Sequence, residues 1–277
     1  MSKFSFTQTL KELGPNLPIT PIIKGNPVKD QSFSFLDWDM KVEEELSKLL
    51  KDSKNIGVFI NAMLCKLLDN FCGMDFQSLD KSEKTFLLSQ LEYTNIMYMY
   101  IYLRVEELSE ELKVNLNCPV CQKEIKDYIC NLYSLDVSCK SDKHERKHEY
   151  NLKKPIHFKH NEISKIITGF NIDITQWNSL EGITVGNKFS DTSLKKRMFY
   201  SSIVEFLDSK GVISDFIDKK TVIDKLKKAD IEKILSLITE NNAGPSMVTE
   251  IECPHCGNQS EKVLEWRYEI FFGSSSL

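Results

Sequence analysis

Four cysteines stand in two pairs of identical spacing. Cys118 and Cys121 lie within Asn115–Cys130 (NLNCPVCQKEIKDYIC), and Cys253 and Cys256 within Thr249–Trp266 (TEIECPHCGNQSEKVLEW). A Cys-x-x-Cys turn sets two sulfurs at a separation that one tetrahedral ion can span, and two such turns face to face complete a four-thiolate shell, the arrangement of a structural zinc site. Pro119 and Pro254 follow the first Cys of each pair, and Gly257 follows the last Cys of the second. Proline fixes φ and glycine permits positive φ, so both suit a tight metal knuckle. In the first pair Gln122 stands where that glycine would be. Such a shell is saturated by protein ligands and leaves no open position for water or substrate, so its chemistry is cross-linking. An iron–sulfur cluster uses the same four ligands, and spacing alone leaves it open. Buried reduced thiols are the plain alternative. A redox pair fits less well, because neither pair opens a helix after a strand.

Each knuckle is flanked by alternating segments that read as strands. Nearly half the chain separates the two pairs, so the fold as a whole must bring them together. Residues 1–36 contain Pro15, Pro18, Pro21 and Pro27, which oppose helix; the stretch reads as an extended N-terminal arm whose apolar residues lie on a neighbouring subunit. Residues 37–112 read as a helical region. Asp37 or Asp39 caps a first helix reaching about Lys51, and Asn55 starts a second that ends at Gly73. Asp80 with Glu83 makes a capping box for a third, which continues through the apolar run Ile96–Leu103 (IMYMYIYL) toward Leu112. Residues 113–160 together with 245–277 read as a zinc-ribbon-like β unit.

Residues 161–244 read as a helical insertion. In it Asn161 caps a short helix ending at Gly169, a further turn surrounds Trp177, Asp191 caps a helix reaching Leu207, and two more helices cover Val212–Leu226 and Asp230–Ile238. The expected fold class is therefore α+β and mostly helical, with a small ribbon unit built from two distant knuckles. Cys139, His144 and His148 suggest a second metal site, but the segment CKSDKHERK reads better as a solvated loop.

Composition narrows the function. The chain has 277 residues, 41% apolar and 27% charged, with a formal net charge of −4. That balance disfavours a general nucleic-acid or membrane-surface binder, which carries a basic excess. No secretory signal is visible, and the longest apolar run is too short to span a bilayer. Eight cysteines without such a signal point to a reducing compartment, where paired cysteines bind metal more often than they oxidise. No phosphate-binding glycine loop, metalloprotease helix, nucleophile elbow or kinase signature occurs, and with five histidines a His-dependent active site has little to draw on. A non-enzymatic protein is expected.

The segment from Met74 to Val137 (MDFQSLDKSEKTFLLSQLEYTNIMYMYIYLR, then VNLNCPVCQKEIKDYICNLYSLDV) resembles the helix-then-knuckle layout of baseplate hub and hub-assembly proteins of T-even-type contractile-tailed bacteriophages. The ending CPHCGNQSEKVLEWRYEIFFGSSSL resembles theirs too, with a knuckle, an alternating strand and a late Phe-Phe. The Asp-Lys-Ser-Glu helix start joined to a Cys-Pro-x-Cys knuckle is the more telling feature. The resemblance implies a structural or assembly component of the tail baseplate hub, made in the host cytoplasm. It would hold one Zn²⁺ and contact other hub, tail tube or tape-measure proteins. Ile270, Phe271 and Phe272 would then either fold back on the ribbon or anchor in a partner's groove. The competing reading is a zinc-ribbon accessory factor acting with nucleic acid in transcription or replication. Against it, the second knuckle carries more acid than base.

Overall fold

The apolar run IMYMYIYL folds as helix, and the larger of two cores is arranged around it. The computed structural model describes residues 5–52, 56–141, 143–160, 162–174, 199–215 and 217–264. In chain order the first part comprises β1 (Ser5–Thr9), α1 (Leu10–Leu13), β2 (Ile22–Ile23), β3 (Asn26–Pro27), β4 (Phe33–Phe35), α2 (Met40–Asp52), α3 (Ile56–Leu67), β5 (Leu68–Phe71), β6 (Met74–Asp75), α4 (Lys81–Ser89) and α5 (Tyr93–Glu107). There follow β7 (Glu111–Asn117), β8 (Glu124–Asn131), β9 (Asp136–Lys140), β10 (His148–His160), β11 (Ile163–Ile172), β12 (Ile203–Asp208) and β13 (Gly211–Val212). The chain then forms α6 (Lys219–Ile223), α7 (Lys228–Asn241), β14 (Gly244–Pro245), β15 (Val248–Glu252) and β16 (Gln259–Val263). All pairings between these strands are antiparallel. Of the described residues 33% are helical and 37% in strands, so the class is an even α+β mixture and the expectation of a mostly helical chain is corrected.

Helix α5 buries Ile96 through Ile101 without a break. A helix that is apolar on every side is stable only inside a core. Phe33 meets Tyr98 and Tyr102 edge-on, with ring centroids 6.1 and 5.4 Å apart, and the Tyr98 hydroxyl donates to the Gly14 carbonyl at 2.6 Å. The tyrosines thus keep their polar ends satisfied while their rings fill the interior. Asp80 and Glu83 form the expected capping box at α4, and the Asp39 carboxylate accepts from the Val42 N–H at the start of α2.

Three expectations fail within this core. The long third helix is two helices, because the chain breaks at Glu92 and turns that carboxylate inward. The second helix stops at Leu67, and Leu68–Phe71 becomes the middle strand of the β4-β5-β6 sheet. Residues 5–36 do not extend away as an arm. β1 pairs with β9, α1 starts at a Thr9–Glu12 capping box, and Leu10, Leu17, Ile19 and Phe33 are all buried within this chain.

The second core lies under the β10-β11-β12-β13 sheet, against which α6 and α7 pack through Val222, Ile223, Ile234 and Ile238. The segment expected to be helical after Asn161 is strand β11. Its sequence, ISKIITGFNI, is rich in β-branched residues, which favour a pleated surface over a helix. Gly169 is there for close approach, since a Cβ would come within 2.6 Å of the Tyr150 carbonyl oxygen on β10. Leu207, expected at a helix end, sits in β12. The described residues of 161–244 mix strands with helices where a helical insertion was expected, and Tyr150, Ile156 and Phe158, read from sequence as part of the ribbon unit, bury in this second core. Pro155 falls where the β10–β11 register shifts, between Asn151 and Ile156, as expected for a residue that cannot donate to a ladder. The expected helical turns around Trp177 and from Asp191 lie outside the described residues. Among the described residues no helix is long and apolar enough to cross a membrane.

The two cores meet across a polar seam. Glu92 is fully buried and paired with Arg146. The Asn241 side chain donates to the Arg146 carbonyl at 2.5 Å, and its oxygen faces the Nε2 atoms of His144 and His148 at 2.8 and 3.1 Å. Lys140 Nζ donates to the Glu240 carbonyl at 2.8 Å. Burial pushes the Glu92 carboxyl above its ordinary value while the Arg146 guanidinium opposes that rise. A carboxyl whose folded pKa is raised favours the fold most below its unfolded value and loses that contribution as pH climbs through the folded value. Removing Arg146 removes the opposing charge and raises the folded pKa further. Arg146→Ala should therefore destabilise the protein by about 3–5 kcal/mol at pH 7, with a smaller deficit at pH 5. Paired thermal or urea unfolding at the two pH values checks both parts.

Candidate metal centre

Both knuckles are the turns of antiparallel hairpins, β7–β8 and β15–β16. The same backbone pattern closes each. In the first, the Cys118 N–H donates to the Lys123 carbonyl at 3.0 Å and the Gln122 N–H to the Cys118 carbonyl at 3.1 Å. In the second, the Cys253 N–H donates to the Asn258 carbonyl at 2.9 Å and the Gly257 N–H to the Cys253 carbonyl at 2.8 Å. The N–H groups of Val120 and Cys121 also point at the Cys118 sulfur, at 3.4 and 3.5 Å. The equivalence extends to backbone angles. Gln122 has φ 59° and Gly257 φ 66°, so the residue after the second cysteine is left-handed in both turns. Gly257 adopts this conformation without strain, whereas Gln122 is an L-residue held there by the turn. Its side chain donates to the Pro119 carbonyl at 3.0 Å, which offsets part of the cost.

The hairpins face one another over a small apolar floor made by Ile125 and Ile251 with Leu116 and Tyr128. The Tyr128 hydroxyl donates to the Glu250 carbonyl at 2.9 Å, and His255 Nε2 lies 3.1 Å from the Glu124 carbonyl. On this floor the sulfurs pair across the hairpins, Cys118 with Cys256 and Cys121 with Cys253, each at 3.7 Å. All four ligand atoms lie within 4.8 Å of one another. A disulfide needs about 2.05 Å, so these are separate sulfurs. A tetrahedron with metal–sulfur bonds of about 2.3 Å has edges of about 3.8 Å, which is the spacing found. Cys118 and Cys253 are buried, Cys121 half-buried and Cys256 exposed.

The thiols influence one another strongly. The Cys121 N–H aimed at its sulfur brings Cys118 down to about 6. The Asn258 N–H favours the Cys256 thiolate, yet burial and the three neighbouring sulfurs push it up to about 12. One thiolate forms readily at this spacing, and the next is opposed by the charge already there. Four thiolates can coexist only with a cation among them, and that is the donor chemistry a structural metal requires.

The family model described as T4 bacteriophage base plate protein matches residues 30–272, a span that holds both knuckles, the second core, most of the larger core and the seam between them. The chain belongs to this family. Comparison with curated proteins and with solved structures finds no match. The baseplate resemblance read from the sequence thus agrees with the family at the level of the baseplate.

Within this baseplate protein the remaining cysteines lie elsewhere. Cys72, Cys130 and Cys139 are buried in the larger core and Cys65 packs against it. Burial raises the thiols of Cys72 and Cys139, to about 12 and about 11, which suits apolar packing and not ligation. The suggested second site does not assemble, because His144 and His148 both turn to Asn241 while the Cys139 thiol faces the Val137 carbonyl at 3.7 Å. Ile270, Phe271 and Phe272 lie outside the described residues. Sequence reasoning missed the contribution of Tyr128 and Ile251 to the floor. The alternation of β15 contained that signal for Ile251, whereas Tyr128 joins Ile125 on the inward face only through the irregularity in the β7–β8 register at Asp127.

Elemental analysis should find about one zinc per chain for a mononuclear four-cysteine site. Serine at any of Cys118, Cys121, Cys253 or Cys256 should abolish tight binding, and alanine at Cys65, Cys72, Cys130 or Cys139 should leave metal content unchanged. Metal-free protein that unfolds identically to the wild type would rule the site out. Gln122→Gly should relieve the left-handed strain and raise stability by roughly 1 kcal/mol, read as a higher denaturant midpoint of the metal-loaded protein.

Proposed function

We propose that this chain is a non-enzymatic structural or assembly component of the phage baseplate hub, acting through protein–protein contacts and braced by one Zn²⁺ on Cys118, Cys121, Cys253 and Cys256. The family match across residues 30–272 carries the reading. The hub is favoured within the baseplate by the helix-then-knuckle layout of Met74–Val137 and by the knuckle-and-strand ending. The sulfur spacing supports a single ion over an iron–sulfur cluster, since a cluster spreads four thiolates over several irons and sets them farther apart. A shell saturated by thiolates has no coordination position for substrate, which supports a bracing role. Glu250, Glu252 and Glu261 stand exposed on the second hairpin and repel phosphate, so the nucleic-acid reading is the weaker one.

The test is a mass-spectrometric inventory of purified baseplates and whole tails. The expected result is this chain present in fixed proportion to other hub, tail tube or tape-measure proteins, with zinc retained in the particle. Its absence from baseplates and from their assembly intermediates would overturn the proposal.

A further inference from the structure

The outer face of the β15–β16 hairpin carries an arrangement that folding alone does not favour. The register pairs Val248 with Val263, Glu250 with Glu261, and Glu252 with Gln259. These six residues share one face, because the intervening pairs point inward, where Ile251 is buried in the floor beneath the sulfurs. All six are exposed, Val248 at 40% and Val263 at 69%. Two carboxylates directly opposite one another on a ladder repel, and among the described residues none of Glu250, Glu252 and Glu261 forms an ion pair. An open groove of about 380 Å³ runs beside them, bounded by Tyr128, Glu250, Glu252, Gln259 and Glu261. Among the described residues β16 pairs with β15 alone.

We infer that this face docks an extended basic–aliphatic segment of a partner protein. Lysine or arginine of the segment would meet Glu261 and extend toward Glu250, and its aliphatic residues would cover Val263. The segment lies along β16 and adds a strand to the hairpin, so main-chain bonds hold it while alternate side chains select it. Charge complementarity decides the occupant: an acidic segment would add to the repulsion between the opposed glutamates, and a purely apolar one would bury them unpaired. That the partner is a baseplate protein rests on the function proposed above. The chemistry of the segment rests on this hairpin alone.

The experiment uses the full-length, metal-loaded protein and a short synthetic peptide in which every second residue is in turn lysine and valine, with serine between them, so that both side chains fall on one face of the added strand; the control carries glutamate in place of lysine. Titration at low salt should show binding of the first peptide only. Glu250→Gln combined with Glu261→Gln should weaken it about tenfold, while metal content stays unchanged and the unfolding temperature rises by about 1–3 °C as the repulsion is removed. No binding, or binding indifferent to the double variant, overturns the proposal. Concentration-dependent dimers abolished by the double variant would assign the face to a second copy of the chain and also overturn it. Binding that emerges only after residues 265–277 are removed would assign the face to the chain's own C-terminal segment, with the same consequence. The particle inventory separates the two readings. Peptide binding by a chain missing from baseplates would overturn the baseplate role and leave the surface standing. A chain present in baseplates whose double variant is incorporated and binds peptide like the wild type would overturn the surface alone.

Discussion

Four sulfurs held within 4.8 Å of one another set the terms for the rest of the molecule. Each knuckle can form by itself as the turn of a hairpin, with its own backbone bonds. The face-to-face arrangement cannot, because crowded thiolates repel and two-stranded hairpins are marginal alone. Something must hold β7–β8 against β15–β16 before the sulfurs gain a cation. The larger core does this. Leu112, Val114 and Cys130 root the first hairpin in it, and Met247 and Leu264 root the second. Arg104, at the end of α5, donates to the Glu111 carbonyl at 2.9 Å and ties the helix to the first strand of the ribbon. Nearly half the chain is looped out between the knuckles, yet loop-closure entropy grows only with the logarithm of length, about 0.6 kcal/mol for each doubling. The distance in sequence is therefore a small obstacle once the cores have folded.

The second constraint is the polar seam. Two apolar cores joined by an apolar interface would merge into one; here they are separated by Glu92, Arg146, Lys140 and Asn241. A buried ion pair contributes little net stability compared with well-packed apolar residues, but it fixes registry, since any slippage leaves a carboxylate unpaired. Glu92 accounts for the break between α4 and α5. Its side chain serves the seam and not its own helix, and α5 begins without a side-chain cap. His144 and His148, which the sequence marked as metal ligands to consider, belong to the same seam through Asn241. Through Lys140, His144 and Arg146 the charged segment CKSDKHERK is thus a joint between the two cores.

What was legible in the sequence follows from how local its physical causes are. The knuckles could be read because Cys-Pro-x-Cys is a local turn whose geometry depends on four residues. The cap of α4 could be read because Asp80 and Glu83 satisfy each other's backbone within one turn. The core position of Ile96–Leu103 could be read because eight bulky residues in a row have nowhere else to go. The failures share the opposite property. ISKIITGFNI supports a helical spacing of isoleucines as well as an alternating one, and only the neighbouring strand β10, with Gly169 against the Tyr150 carbonyl, decides for sheet. Leu68–Phe71 continues the apolar period of α3, and only β4 draws it into a strand. Residues 5–36 look like an arm because prolines exclude long helices, but Leu10, Leu17 and Phe33 find their burial within this chain. Residues 161–244 read as helical because cap residues precede apolar residues at helical spacing, whereas the described part of that stretch holds the strands β11, β12 and β13 as well as the helices α6 and α7.

The ribbon's position indicates what a metal on the four cysteines would add to a chain that already has two cores. A two-stranded hairpin gains little from burial, and β15–β16 exposes one entire face. Without the clip such a hairpin would splay, and any segment docking on it would have to order it first, losing affinity to conformational entropy. With Cys253 and Cys256 locked to Cys118 and Cys121, the strand edge and its opposed glutamates are held rigid relative to α5 and the larger core. The repulsion between Glu250 and Glu261 is tolerable only because the clip and the floor beneath it stabilise the hairpin independently. A metal on the thiolates and the acidic face would in this sense be one device: the clip would supply the rigidity that lets the outer surface be shaped for a partner and not for its own folding.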